Sequence, residues 1–390
     1  MEGRLRRLTQ APYTTTKRRH PDTGAAAFVC GAGPESARGP AGGANRLRRP
    51  ARTRSVHRMT VLRLPAAPAD HAVDAWHDVV RAAHTHDLPA TVPPPGRAES
   101  AGKLRHPGPR TRAVHLAAVA ADGSYDGVAT LVLFDEDANR HTAFLDVLVV
   151  HPRARNRGTG AALWKAARAQ LADDGRTSVS TVVERGGRGE MFARGLGFEN
   201  VLPLGWYVQN IPAALAARPA EPVLPDGYAC AHWTGVVPDR LADAFAEAHD
   251  AMRDAPTGDM DQAPRAWDAA RVRAAAQVVG DRGGVILSSA VLHRAEGAET
   301  VAAYTELVLR DPSDTRALQY DTVVVPVHRG RGLGAAVKHH MLGVVAAACP
   351  GVREIGTTVA DDNGPMLAVN ERLGYRRERT AGYFQATLKE

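Results

Sequence analysis

The sequence predicts a mixed α/β fold in which two similar domains follow one another. Residues 149–160 and 323–334 share one pattern: an apolar β-branched run leads to a proline, an arginine and closely spaced glycines. The prolines at 152 and 326 lie 174 residues apart, and the arginines and later glycines keep this separation. In each half, several strands precede alternating strands and helices, an order typical of mixed α/β layers.

In the first domain, residues 59–211, apolar periodicity predicts the elements in order. They are a strand at 60–65, a helix at 69–86, a Pro/Gly-rich loop at 89–109, strands at 113–120, 127–134 and 143–151, a helix at 159–173, a strand at 178–183 and a short helix ending at 195. Four prolines in residues 212–226 predict a semi-rigid linker.

The second domain, residues 227–390, repeats this order. The sequence predicts a strand at 227–233, helices at 238–253 and 265–280, strands at 284–293, 300–310 and 317–325, a helix at 333–348, a strand at 352–359, a helix at 364–373 and a strand at 379–388. The match between the two halves indicates an internal duplication of one domain type.

Composition limits the classes of function. The chain has a net charge of +7, but residues 1–58 alone hold 13 Lys and Arg against 3 acids, so the remainder is slightly acidic. We therefore expect no nucleic acid on the folded domains and, with no apolar run near twenty residues, no membrane span. The tail is expected to be a disordered basic segment, or an upstream start assigned in error before Met59.

Three cysteines, Cys30, Cys230 and Cys349, are far apart and have no metal-ligand spacing. An odd count without a disulfide framework predicts a reducing, cytoplasmic environment and no metal site.

The repeated glycine turn is suited to binding a phosphate. Glycines let backbone N–H groups face one point, and the helix that follows has unpaired donors and the positive end of its dipole. Arginines add charge. The residues are Arg155, Asn156, Arg157, Gly158, Thr159 and Gly160 in the first copy and Arg329, Gly330, Arg331, Gly332, Leu333 and Gly334 in the second.

Two other interpretations remain. The turn can be a tight strand-to-helix connection with solvated arginines. A dinucleotide-binding fingerprint fits Gly330, Gly332 and Ala335 loosely, with Glu354 further on. The fingerprint is disfavoured because Pro326 separates the strand from the glycines and because the first copy does not share it.

Together these residues resemble the acetyl-CoA-binding motif of the GCN5-related N-acetyltransferases (the GNAT family). Residues 363–375, ending in Leu373-Gly374-Tyr375, are similar to the second motif of that family. The resemblance covers roughly residue 61 to the end as two tandem domains, and it extends to the tandem acetyltransferases of actinobacteria, a group that includes mycothiol synthase. It implies mostly antiparallel sheets, each with a central splayed strand pair and flanking helices.

The resemblance also implies that acetyl-CoA is the co-substrate. Its pantetheine arm would pair with backbone freed by the splayed strand, near Thr322 and Val324, with Leu148 and Val150 in the first copy. Asn363 lies where the family often has an asparagine that contacts the cofactor, and it can equally cap a helix.

The tyrosine that often protonates the departing thiolate in this family is missing. Five residues before the final aromatic the two halves hold Ala193 and Asn370. Tyr375 or Tyr383 could replace it, or either could be a core aromatic. The first domain has Gly186 where the second has Asn363, so we expect the first copy to be degenerate.

For the general base, the sequence favours Glu306, a carboxylate within an otherwise apolar strand, with Asp321 next to the cofactor strand as the second candidate. Glu306 could also simply face solvent. We therefore expect an N-acetyltransferase, a monomer or homodimer, that acetylates a small amine by direct attack on the thioester, mainly in the second domain. The alternative is an acyl-CoA-binding pseudo-acetyltransferase that acts as a sensor or a partner platform.

Overall fold

The computed structural model describes residues 59–217, 222–254, 256–295 and 297–388. The expectations about residues 1–58 and Cys30 lie outside these ranges. Within them, no helix combines the length and the apolar character needed to cross a membrane.

The first half contains six strands and five α-helices within the described residues. In chain order they are β1 (Thr60–Arg63), α1 (Asp70–Asp87), α2 (Arg97–Arg105), β2 (Thr111–Val119), β3 (Tyr125–Phe134), β4 (Thr142–Val150), α3 (Thr159–Asp173), β5 (Ser178–Glu184), α4 (Arg188–Gly195), β6 (Glu199–Asn210) and α5 (Ile211–Ala216).

The described part of the second half repeats the pattern. It contains β7 (Tyr228–Thr234), α6 (Ala242–Asp250), α7 (Ala269–Asp281), β8 (Val285–Ala295), β9 (Ala298–Leu309), β10 (Arg316–Val324), α8 (Leu333–Ala348), β11 (Glu354–Ala360), α9 (Gly364–Arg372) and β12 (Arg376–Thr387). The predicted mixed α/β fold is therefore confirmed.

Three elements differ from the sequence prediction. The predicted linker at 212–226 overlaps helix α5, whose Pro212 lies in the first turn, where proline is tolerated. The expected loop at 89–109 contains helix α2, because the stretch between its two proline clusters has no proline and buries Leu104 against α1.

Strand β6 was not predicted. Pro203 cannot donate a backbone hydrogen bond, so in a sequence pattern it argues against a central strand. In the structure Pro203 lies within β6, and its carbonyl accepts a hydrogen bond from the backbone N–H of Asp361.

All twelve strands form one sheet, in the order β1-β2-β3-β4-β5-β12-β6-β11-β10-β9-β8-β7. The last strand of each half lies within the other half. Strand β12 pairs with β5 over seven positions, and β6 pairs with β11 over seven positions. The two halves are therefore joined by continuous backbone hydrogen bonding as well as by side-chain packing.

In each half, one parallel pair of strands separates after a short ladder. Strands β4 and β5 pair from Thr142 to Phe144, and β10 and β11 pair from Arg316 to Leu318. Just beyond, a threonine side chain makes a final link: the hydroxyl of Thr357 donates to the carbonyl of Gln319. The predicted splayed pair is present in both halves and leaves β4 and β10 with unpaired edges.

Helices cover both faces of the sheet. On one face α3 packs on β2, β3 and β4 through Leu163 and Trp164, and α8 packs at the equivalent place through Met341 and Leu342. On the other face lie α1, α2, α6 and α7, and these helices enclose a space between the halves.

Candidate active site

The glycine turns have the same backbone geometry in both halves. Gly158 and Gly332 precede α3 and α8 in the left-handed region, with φ of 88° and 75°. Two residues earlier, Asn156 and Gly330 are also left-handed, with φ of 60° and 79°. Asparagine tolerates this region better than other side chains, so the first copy keeps the turn without its first glycine.

The predicted phosphate-binding arginines also brace the turn. Nε of Arg155 donates to the carbonyl of Val150 at 3.0 Å, and its guanidinium forms an ion pair with the buried Asp87 at the end of α1. The second turn uses Nη1 of Arg331, which donates to the carbonyl of Val327 at 2.6 Å. Arg157 and Arg331 are exposed at the helix start, where an anion could reach them.

The two clefts beside these turns differ in free space. A Cβ atom built on Gly160 would meet the ring of Phe192, from α4, at 3.1 Å. On Gly334 the nearest atom would be Cγ2 of Val324, at an ordinary 3.4 Å. The first cleft is therefore narrowed by an aromatic ring at the point where the second is open.

The remaining predicted cofactor residues lie along the splayed edges and the helix starts. Leu148 and Val150 lie on β4 and Thr322 and Val324 on β10, beyond the last parallel pairs. Thr159 and Leu333 are buried in the first turns of α3 and α8. Asn363 caps α9: its Oδ1 accepts from the backbone N–H of Met366 at 3.2 Å.

A cavity of about 290 Å³ lies between the halves, on the face of the sheet covered by α1, α2, α6 and α7. The first half lines it with residues such as Trp76 and Lys103, and the second with Glu306 and Asp321. The structure thus brings the two predicted acid–base candidates together in the same space, next to the splayed strand β10.

A histidine that the sequence did not indicate completes this group. His249 of α6 is 2% exposed, and its Nδ1 lies 2.7 Å from the hydroxyl of Tyr304 and 4.0 Å from Oδ2 of Asp321. Burial lowers the pKa of His249 to about 3, so the ring is neutral at pH 7. Its Nε2 has no hydrogen-bond partner among the described residues.

Ligand atoms of His249, Glu306 and Asp321 all lie within 4.8 Å of one another. Two carboxylates and a neutral imidazole at this spacing suit one cation, either an ammonium group or a metal ion. The expectation of no metal rested on linear spacing of cysteines and stays a prediction, because these three residues come from separate elements.

The first half lacks this arrangement. By strand register, Thr130 on β3 takes the place of Glu306 on β9, and Val147 on β4 takes the place of Asp321 on β10. His115, buried beside Thr130, has a pKa lowered by burial to about 4, so it is neutral as well. The first half therefore has no carboxylate at either of these two positions.

Tyr375 lies on the other side of the sheet from the cavity. It is 6% exposed, and its hydroxyl donates to Oε1 of Gln319 at 2.8 Å. Burial raises the pKa of its hydroxyl well above its usual range. Lys338 lies beside Tyr375 and is a second residue that the sequence analysis missed. Alignment of the two halves at the 174-residue offset sets this lysine against Trp164, and that difference was the signal that could have found it.

Comparisons with known proteins agree with this geometry. Residues 78–198 match the family model described as the acetyltransferase (GNAT) family. A tandem GNAT protein from the clavulanic acid biosynthesis pathway is 27% identical, with a TM-score of 0.71, over 85% of this chain and 99% of that protein. A GCN5-related N-acetyltransferase from Sphaerobacter thermophilus is 15% identical, with a TM-score of 0.61, over 85% and 96% of the two chains. No curated protein matches the chain.

These findings define the class. Residues 78–198 form a GNAT domain, and 85% of the chain has the fold of a tandem GNAT protein. The resemblance to the GNAT family inferred from the two glycine turns is confirmed, and it supports an acyl-transfer function. The likeness to the tandem acetyltransferases of actinobacteria stays a prediction.

Proposed function

We propose that the protein is an acetyl-CoA-dependent N-acetyltransferase that acetylates a small amine in its second half. The observation that carries the proposal is the pair of carboxylates, Glu306 and Asp321, in the cavity beside the splayed strand β10. The first half has Thr130 and Val147 at the same register. Asp146 of the first half also lines the cavity, but among the described residues only the second half groups two carboxylates and an imidazole beside a cofactor-type turn.

The cavity between the halves binds the amine acceptor. An amine reaches the site as an ammonium ion, which two neighbouring carboxylates stabilise in a partly enclosed space. Glu306 then takes the proton, so that the nitrogen lone pair can attack the thioester carbonyl. Asp321 keeps the local charge negative and orients the ammonium group, and the neutral His249 offers a polar atom without adding a competing positive charge.

The second glycine turn provides for acetyl-CoA, which supplies the acetyl thioester. The N-terminus of α8, with Gly330 and Gly332 in left-handed conformation, presents backbone donors to its phosphates. The unpaired edge of β10 near Thr322 and Val324 offers hydrogen bonds to its pantetheine arm. The open space at Gly334 favours this half over the first, where Phe192 lies against Gly160.

On this proposal the first domain, residues 59–211, supports the second, residues 227–390. It supplies one wall of the cavity, through Trp76 and Lys103, and the strand β6 beside β11. The family-model match to the first half reflects its fold. The free Cys230 and Cys349 suit the reducing cytoplasm that we infer for the enzyme.

A second candidate is a pseudo-acetyltransferase that binds acyl-CoA without turnover. The observation in its favour is the absence of the family's usual tyrosine at Ala193 and Asn370, both of which are buried. Such a protein would bind acetyl-CoA and release no thiol with any amine.

The test is a thiol-release assay of the full chain with acetyl-CoA and a panel of primary amines, run beside calorimetric titration of acetyl-CoA. We expect binding and amine-dependent thiol release. Binding without release on the whole panel would favour the pseudo-acetyltransferase. Absence of binding would contradict both candidates.

A further inference from the structure

Lys338 on α8 is a buried lysine without an acidic partner. It is 5% exposed, and no carboxylate among the described residues forms an ion pair with it. Its Nζ donates to Oδ1 of Asn370 on α9 and lies 4.2 Å from the centre of the Tyr375 ring. Burial of an ammonium group with so few partners is costly, and such a group is uncommon without a functional reason.

Lys338 is connected through Tyr375 to the point where the two strands separate. The hydroxyl of Tyr375 donates a hydrogen bond to the side chain of Gln319. The backbone carbonyl of Gln319 accepts the last hydrogen bond across the gap between β10 and β11, from the hydroxyl of Thr357. Gln319 in turn donates to Thr305. A polar chain thus runs from Lys338 to the edge of the splayed strand, on the face of the sheet opposite to Glu306.

The first half has an apolar counterpart for each member of this chain. The 174-residue offset sets Trp164 against Lys338 and Leu145 against Gln319, and alignment of the Leu-Gly-aromatic motifs, 177 residues apart, sets Ala193 against Asn370 and Phe198 against Tyr375. Trp164 and Phe198 pack ring to ring at 5.2 Å. A fold that is stable with four apolar residues here does not need the lysine for stability.

Asn370 adds an independent observation. Its Nδ2 is buried and has no hydrogen-bond partner among the described residues, although its Oδ1 is bonded by Lys338. Nearly every buried polar group in a native structure has a partner, so this N–H₂ group is open to a ligand atom or a water molecule. The pair therefore has donor hydrogens left over for such a partner.

We propose that Lys338 is the proton donor to the departing sulfur in the second half, in the role that the absent tyrosine would have. This rests on the proposed function. Glu306 first passes the proton that it took from the ammonium ion to solvent; the amine nitrogen then forms its bond to the acetyl carbon and gives its second proton to Glu306. As the carbon–sulfur bond breaks, its electron pair stays on sulfur, and the Lys338 ammonium group protonates that sulfur, leaving a thiol and a neutral lysine. Solvent then restores both side chains.

The titration of Lys338 is consistent with this role. Burial lowers its pKa to about 7, so both protonation states are accessible near neutrality. Tyr375, the titratable group in contact with it among the described residues, has its pKa raised and does not ionise in this range. A donor with a pKa near the working pH is the most effective one.

The first test reads the lysine directly. The chain has five lysines, so the full-length protein with ¹³Cε-labelled lysine gives five resolvable signals, and Lys338→Met identifies the one of interest. We expect this signal to titrate near pH 7 and to shift when coenzyme A is added. Titration near the ordinary value of lysine, or no shift at a saturating coenzyme A concentration, would overturn the role of Lys338 and leave the proposed function standing.

The second test is the pH profile of kcat. We expect kcat of the native enzyme to fall above about pH 7, where Lys338 loses its proton. Lys338→Met should lower kcat about 100-fold with little change in KM for acetyl-CoA and should remove this alkaline limb. Lys338→Arg should also lower kcat, because arginine keeps its charge but does not release a proton.

The control is Lys165→Met, which replaces an exposed lysine on α3. An unchanged limb in Lys338→Met would overturn the proposal.

Discussion

Arg155 and Arg329 stand at equivalent places in the two halves and make the same contact. In each, Nε donates to the carbonyl that ends the preceding strand, on Val150 and Val324 respectively, at 3.0 Å. Their acidic partners differ. Arg155 holds Asp87, whose side chain is fully buried, whereas Asp254, opposite Arg329, is half exposed. The glycine turn is therefore stabilised by a buried ion pair in the first half and by a solvent-exposed ion pair in the second.

We expect Arg155→Ala to destabilise the protein by about 3–5 kcal/mol, because it leaves the buried carboxylate of Asp87 without its counter-charge. Arg329→Ala should cost about 1 kcal/mol or less, since both members of that pair are solvated. Urea unfolding measures the free energy of unfolding of the two variants, and the comparison holds if their dependence on urea concentration has the same slope. Equal losses in both variants would show that the shared carbonyl contact, and not the ion pair, stabilises the turn.

Local signals accounted for much of what the sequence predicted. The left-handed conformations at Gly158 and Gly332 can be predicted from residue type, because residues other than Gly, Asn and Asp rarely adopt them. The two glycine turns, and the helices that follow them, were predicted for this reason. Glu306 was singled out as a carboxylate in an apolar strand and Asp321 as a carboxylate next to the cofactor strand, and their proximity follows from the pairing of β9 and β10.

Long-range features were not visible in the sequence. The exchange of β6 and β12 depends on which of two similar edges each strand meets, and the two halves offer nearly equivalent edges. His249 reaches the carboxylates from α6, a separate element, and nothing in its local sequence marks it. Lys338 looks like an ordinary helix lysine in its own segment; only its alignment with Trp164 in the first half marks it in the sequence, and its burial is known only from the structure.

The role of Glu306 predicts a loss of turnover without a loss of binding. Glu306→Gln keeps the shape and removes the proton acceptor, so kcat should fall about 100- to 10,000-fold. Asp321→Asn should give a smaller decrease and raise KM for the amine, because Asp321 orients the ammonium group. Steady-state kinetics with calorimetric titration of acetyl-CoA tests this. Full activity in Glu306→Gln would require another base.

The difference between the two clefts predicts which half binds acetyl-CoA. Gly334 has a helical backbone and room for a Cβ atom, so Gly334→Glu should fold normally and repel phosphate through its charge. We expect this variant to abolish calorimetric binding. Gly160→Glu, the equivalent change in the first half, crowds the Phe192 ring, so its folding is checked first by circular dichroism and melting. The folded variant should leave binding of one equivalent intact. If only Gly160→Glu abolished binding, the working cleft would be in the first half.

The burial of Lys338 predicts a pH-dependent stability. Its pKa is about 7 when folded and 10.5 in the unfolded reference, so the unfolded chain binds more protons between these values. The contribution of Lys338 to stability should therefore rise from pH 7 toward 10.5 and be lowest below pH 7. Lys338→Met removes the penalty, so it should stabilise the protein by a few kcal/mol at pH 6, with a gain that shrinks from pH 7 upward and vanishes near pH 10.5. A gain independent of pH would contradict a titrating buried lysine.

The exchanged strands predict that the halves stay together when the chain is cut. Seven paired positions between β5 and β12 and seven between β6 and β11 join them without any need for the connecting segment. A protease site inserted between residues 217 and 222 should yield two pieces that elute as one species in buffer and separate only in denaturant. An uncut chain with the same insertion is the control. Because each piece provides a strand to the interior of the other's sheet, separation in buffer would mean that the last strands of the two halves pair within their own halves in solution.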